Sequence, residues 1–129
     1  MAAGTSLKVA RLVIGSWVLA GNSALMPTEP GMFDEALHAL FEEPGCPPWV
    51  HDYLHFVEGQ AGWKCLESEE ILAAAQDAQL TEEPNPTYSK ARIKISSSAA
   101  EVLLRKLGVN RDEGASLGAA LQSAHAAAK

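Results

Sequence analysis

Two things are scarce in this sequence: cysteine everywhere, and positive charge over most of its length. Only Cys46 and Cys65 occur among 129 residues, and neither belongs to a Cys-x-x-Cys pair. A disulfide framework of the kind that staples small secreted domains is therefore excluded, and a reducing compartment, the cytoplasm, is the expected location. No apolar run approaches the ~20 residues needed to span a bilayer, so no membrane partner is expected. The run Leu12 to Ala20 follows Lys8 and Arg11 in the manner of a short secretory leader, but basic residues interrupt the apolar stretch and it reads as core. Gly-rich phosphate loops, Gly-x-Ser-x-Gly and His-Glu-x-x-His patterns are also missing. Nothing designates a catalyst, and the chain reads as a binding domain rather than an enzyme.

Residues 1–89 carry three basic side chains (Lys8, Arg11, Lys64) against thirteen acidic, a net of −10, whereas residues 90–129 carry seven basic against three acidic, a net of +4. The overall −6 argues against a surface given wholly to nucleic acid, where phosphates are neutralised by Lys and Arg. The rest of the composition, 47% hydrophobic and 20% charged, is that of an ordinary soluble globular protein. One domain over 1–129 is expected, made of an acidic body (1–83), a linker (84–89) rich in proline and polar residues, and a basic strand-helix-helix unit (90–129).

The fold class expected is α+β: a mostly helical single domain with a small sheet and four or five helices. Residues 7–19 are rich in Val, Ile and Trp and predict a buried strand, with a short buried helix as the alternative that periodicity alone leaves open. Phe33, Leu37, Leu40 and Phe41 make one helical stripe, ended by Pro44-Gly45. Pro47-Pro48 predicts a helix start, running to about Glu58, and Ser68 is the expected N-cap of a helix through Leu80. Residues 90–95 alternate cation with Ala or Ile and predict a strand. Ser98 with Glu101, and Asn110 with Glu113, predict two capping boxes, each opening a helix. Gly114 and Gly118 in the last helix cost it stability, which predicts close approach of a neighbouring backbone.

Three groups of residues suggest chemistry. Cys46, His51, His55 and Cys65 are the residue types that hold zinc, with the two histidines four apart on one helical face. No cofactor is expected, with zinc at these four residues as the alternative. A catalytic version would use either thiol as nucleophile and either imidazole as base. The bland reading makes the cysteines small core residues and the histidines surface residues. The second group is Lys90, Arg92 and Lys94. With the two helices that follow, they resemble the ribbon-helix-helix DNA-binding motif, in which two chains pair their strands and place them in the major groove. The resemblance covers about forty residues and implies DNA as a partner through these three cations; otherwise they decorate the solvent face of a strand. Third, Trp49, Phe56 and Trp63 predict an apolar patch for another subunit or a small ligand. The leading expectation is a non-catalytic protein-interaction or ligand-binding homodimer. The strand-paired DNA binder and the zinc-dependent fold or enzyme are the alternatives.

Overall fold

The computed structural model describes residues 2–21, 25–27, 30–60, 62–78, 80–82 and 90–128. In chain order the elements are α1 (Ala2–Leu19), β1 (Leu25–Pro27), α2 (Pro30–Glu42), α3 (Pro48–Tyr53), β2 (Phe56–Gly59), β3 (Gly62–Cys65), α4 (Ser68–Asp77), β4 (Thr81–Glu82), β5 (Lys90–Ile93), α5 (Ser97–Lys106) and α6 (Arg111–Ala128). The mostly helical α+β class expected from the sequence is what the chain adopts. Six helices stand among the described residues, where four or five were expected.

The additional helix is α1, and it corrects the strand predicted for residues 7–19. Val9, Ala10, Leu12, Val13, Ile14 and Trp17 are all buried, as are Ser6 and Ser16. A helix covered over most of its circumference is apolar on more than one face, and here only Lys8 and Arg11 interrupt residues 7–19 with charge, so the stripe is weak. The period that separates helix from strand is then lost, and β-branched and aromatic content misleads. α4, α5 and α6 pack on α1, and α2 packs on α6 and β3. The basic C-terminal unit is thus part of the core: Leu104, Leu117 and Leu121 join Leu12, Ile14, Leu37 and Leu40 in one buried cluster.

The closest approach is between α1 and α6. A Cβ built on Gly118 would overlap the backbone carbonyl oxygen of Ser16 and stand 2.7 Å from the Cβ of Ala20. One turn earlier, a Cβ on Gly114 would lie 2.5 Å from Leu104 Cδ1. Gly118 lets α1 and α6 meet backbone to backbone, the close approach expected of these glycines, whereas Gly114 makes room for the side chains of Leu104 and Leu19.

β5 is the middle strand of a three-stranded antiparallel sheet, β1-β5-β4, with Leu25 opposite Arg92 on one side and Thr81 opposite Ile93 on the other. The strand expected over 90–95 ends at Ile93, although the Lys94 N–H still donates to Leu80 O at 2.9 Å. Its partners are these short strands, not residues 7–19. The linker 84–89 lies outside the described residues.

The helix expected from Pro47 to Glu58 stops at Tyr53, and residues 56–65 fold back as the hairpin β2–β3. Gly59 pairs with Gly62 around a two-residue loop, and Gly62 has φ 118°, which only glycine adopts readily. Asn110 and Glu113 form the reciprocal box at α6, with Glu113 N–H donating to Asn110 Oδ1 (2.8 Å) and Asn110 N–H to Glu113 Oε1 (3.1 Å). At α5 the cap is Ser96, which accepts from Ala99 N–H, instead of Ser98; Glu101 pairs with Arg105 and Arg111. At α4, Glu67 precedes the first turn in place of Ser68.

Gly118→Ala improves intrinsic helix propensity, yet it forces α1 and α6 apart. It should destabilise the protein by about 2 kcal/mol net, read as a lower Tm in thermal unfolding. Gly45→Ala, where an added Cβ meets nothing within 4 Å, should leave Tm nearly unchanged. Equal Tm values for the two variants would contradict the close crossing.

Candidate functional site

Alternation along the hairpin sorts its side chains onto two faces. Phe56, Trp63 and Cys65 turn inward and are half-buried or buried; His55, Val57, Lys64 and Leu66 turn outward and are exposed. The inward rings rest on α2. His38 stacks on Trp63 with centroids 4.2 Å apart and planes 13° apart, and meets Phe56 edge-on at 5.0 Å. Phe41 meets Phe56 at 5.1 Å and His51 at 4.5 Å. The His51 Nε2–H donates to Phe41 O at 2.7 Å, fixing the short α3 against the end of α2. His38 Nε2 also stands 3.9 Å from Glu42 Oε2, one helix turn away. Such rings bury large areas and favour these offset and edge geometries.

Of the expected patch, Phe56 and Trp63 come together through His38. Trp49 instead takes Lys8 Nζ 5.8 Å above its ring. The four zinc candidates do not converge. Cys46 Sγ donates to Pro47 O (3.8 Å), His51 is bound to Phe41, and His55 and Cys65 both reach Glu67. Among the described residues no three His, Cys, Asp or Glu side chains are disposed to hold a metal ion.

Glu67 organises the corner where the hairpin enters α4. Its Oε1 accepts from the His55 N–H (2.8 Å) and from Cys65 Sγ (3.7 Å), while its Oε2 lies 2.8 Å from His55 Nδ1. The His55 imidazole is held by a carboxylate in the way a catalytic base is. Burial pushes the Cys65 thiol up to about 12, with the Glu67 and Asp34 charges adding to the rise, and burial pushes Cys46 up to about 11. Reactive cysteines are lowered, not raised. The thiols are core residues.

Asp34 lies under the same corner, only 5% exposed, bonded to Ser68 and the backbone of Cys65, with Oδ1 unpartnered among the described residues. Desolvation raises its pKa above the usual carboxyl value, although the Ser68 and Cys65 hydrogen bonds and the Lys64 charge pull the other way. Two open grooves also mark the surface. One, of about 660 Å³, runs between α2 and α6 over Ala39, Glu43, Ser116 and Ala120; the other lies between α1 and α4.

The basic strand is placed differently from the ribbon-helix-helix arrangement. Arg92 and Lys94 are exposed, and the Lys90 side chain lies outside the described part of the structure. That motif pairs this strand with the same strand of a second chain, which needs a free edge. Both edges of β5 are already occupied by β1 and β4 of the same chain.

No protein-family model, curated protein or solved structure matches the chain. Function is therefore argued from the site alone. The sequence pattern puts Val57 on the inner stripe of a helix and makes Glu67 a surface charge, and Leu66 is passed over altogether; the structure places Val57 and Leu66 on the outer face of the hairpin and Glu67 at its corner. The available signal was the Gly59-x-x-Gly62 spacing between Phe56-Val57 and Trp63-Lys64, which marks a hairpin.

Two predictions follow from the buried groups. Cys46 and Cys65 should react with a maleimide far more slowly in the native protein at neutral pH than after unfolding in urea; equal rates would show an accessible thiolate. For Asp34 the folded pKa lies above the unfolded one, so its contribution to stability is full below the unfolded value and is lost as pH rises through the folded value. Asp34→Asn should accordingly raise Tm at pH 7, and the gain should vanish below the ordinary carboxyl range. A lower Tm for the variant at pH 7 would show that the ionised form is the stabilising one.

Proposed function

We propose that the protein is a non-catalytic interaction domain that works as a homodimer, with the outward face of the β2–β3 hairpin as the contact. The observation that carries this reading is the pair Val57 and Leu66, 47% and 58% exposed, on one face of a sheet of only two strands. The two lie diagonally across that face, with the exposed Lys64 opposite Val57, and large apolar groups left outside a well-filled core on one face suit a contact surface. His55 lies across from Leu66, whose N–H donates to His55 O at 3.0 Å, and two residues before Val57 on the same face. The Glu67 carboxylate holds its ring in place, so the apolar pair flanks a fixed polar group. Apolar centre and ordered polar neighbour together resemble the composition of protein interfaces. Two buried thiols with no disulfide suit the cytoplasm, where cysteines stay reduced.

Sedimentation equilibrium of the protein across micromolar concentrations tests the reading. A dimer is expected, and Val57→Asp with Leu66→Asp should weaken it by roughly tenfold or more while leaving Tm within about a degree or two, as surface changes usually do. A chain that stays monomeric throughout, or a dimer indifferent to both substitutions, would remove this proposal.

A further inference from the structure

We infer that the groove between α1 and α4 receives helix α5 of a second copy of this chain, a contact separate from the hairpin face. The groove, of about 390 Å³, has a floor of Leu7, Ala73, Ala74 and Ala78 and two carboxylates, Glu70 and Asp77, on its α4 side. These acids are seven residues apart, two helical turns along one face. Glu70 accepts from the Tyr53 hydroxyl at 2.6 Å, and neither acid has an ion pair among the described residues. A small apolar floor beneath negative charge suits an apolar side chain of modest size accompanied by cations.

α5 presents that combination. Its inner face buries Ala100 and Leu104, while Val102 on the outer face is 45% exposed. Arg105 and Lys106 follow within one turn, both exposed; Arg105 shares Glu101, and Lys106 has no ion pair among the described residues. Within its own molecule α5 packs on α1 and α6, which leaves Val102 facing out. The charge division along the chain, −10 before residue 90 and +4 after it, is the same complementarity on a larger scale. Groove and ridge are different surfaces, so the contact is head-to-tail and adds copies to a hairpin dimer.

The test uses the Val57→Asp, Leu66→Asp protein, so that loss of the hairpin contact and loss of this one are read separately. Sedimentation equilibrium at low salt should show self-association that weakens as salt screens the charges. Glu70→Lys with Asp77→Lys, or Arg105→Glu with Lys106→Glu, should each weaken it by roughly tenfold or more. Mixing the two charge-reversed proteins should restore association between them. Because Glu70 also bonds Tyr53, Asp77→Lys alone is measured too, and circular dichroism checks that each variant folds. Association unchanged by either reversal, a mixture that stays monomeric, or a parent that is monomeric at low salt would overturn the inference.

Discussion

The meeting of α1 and α6 at Ser16 and Gly118 is the contact on which the remaining packing depends. Helix pairs normally sit 8–10 Å apart, the distance set by the side chains between them. Here glycine removes the side chain at the crossing, and the Ser16 carbonyl occupies the space a Cβ would need. Drawing α6 in brings Leu117 and Leu121 to the level of α1 and, on the other side of α6, of α2. α4, α5 and α6 thereby cover most of α1, in keeping with the burial of Val9 to Ala10, Leu12 to Ile14 and Trp17, and leave Lys8 exposed. Ser6 and Ser16 of α1 are both buried, and the Ser16 Oγ has no hydrogen-bond partner among the described residues.

What the residues disclosed in advance tracks how local the determining interactions are. The Asn110–Glu113 box is a matter of four consecutive residues, and it forms as read. The cation-Ile alternation of β5 also needs no outside information, whereas its partners, three residues at Leu25–Pro27 and two at Thr81–Glu82, are too short to carry any pattern. Residues 7–19 went wrong for the opposite reason. Their environment is set by elements that arrive later in the chain, and burial on several sides leaves only Lys8 and Arg11 as charged positions to reveal a helix. The hairpin was lost because Pro48 opens a real helix whose end at Tyr53 lacks a glycine stop. The Val50–Tyr53–Leu54–Val57 spacing continues through that end.

This last error determined how the candidate site was read. On a helix through Glu58, His51 and His55 would share a face and face the cysteines together. The turn at Leu54, with ψ 136°, instead sends His51 back to Phe41 and His55 forward to Glu67. The same residue types were on hand for a metal or a nucleophile, but backbone direction separated them. Only Cys65 and His55 remain near one another, bridged by a carboxylate whose charge helps keep the thiol protonated. Burial makes this thiol a core atom, and the negative charges beside it add to the effect.

A two-stranded hairpin cannot bury both of its faces unless something else covers the second. α2 covers the first through His38 and Phe41, and the stacked Trp63 ring sets how the strands sit on the helix. Glu35 supports the same seat from the other side of the loop: its Oε1 accepts weakly from Trp63 N–H at 3.4 Å and would lie 2.8 Å from a Cβ on Gly62. With the inner face fixed at ring, carboxylate and backbone, the outer face is held as rigidly as the helix beneath it. Rigid presentation lowers the entropic cost of association. The apolar pair on this face is therefore better suited to binding than equal apolar area on a loose loop would be. The same seat fixes His55 and Glu67 beside it, so this face carries a preformed pattern of apolar and polar groups. On this geometry the hairpin owes the placing of its outer face to α2, and α2 owes its position to α6, which rests on the glycine that lets it reach α1.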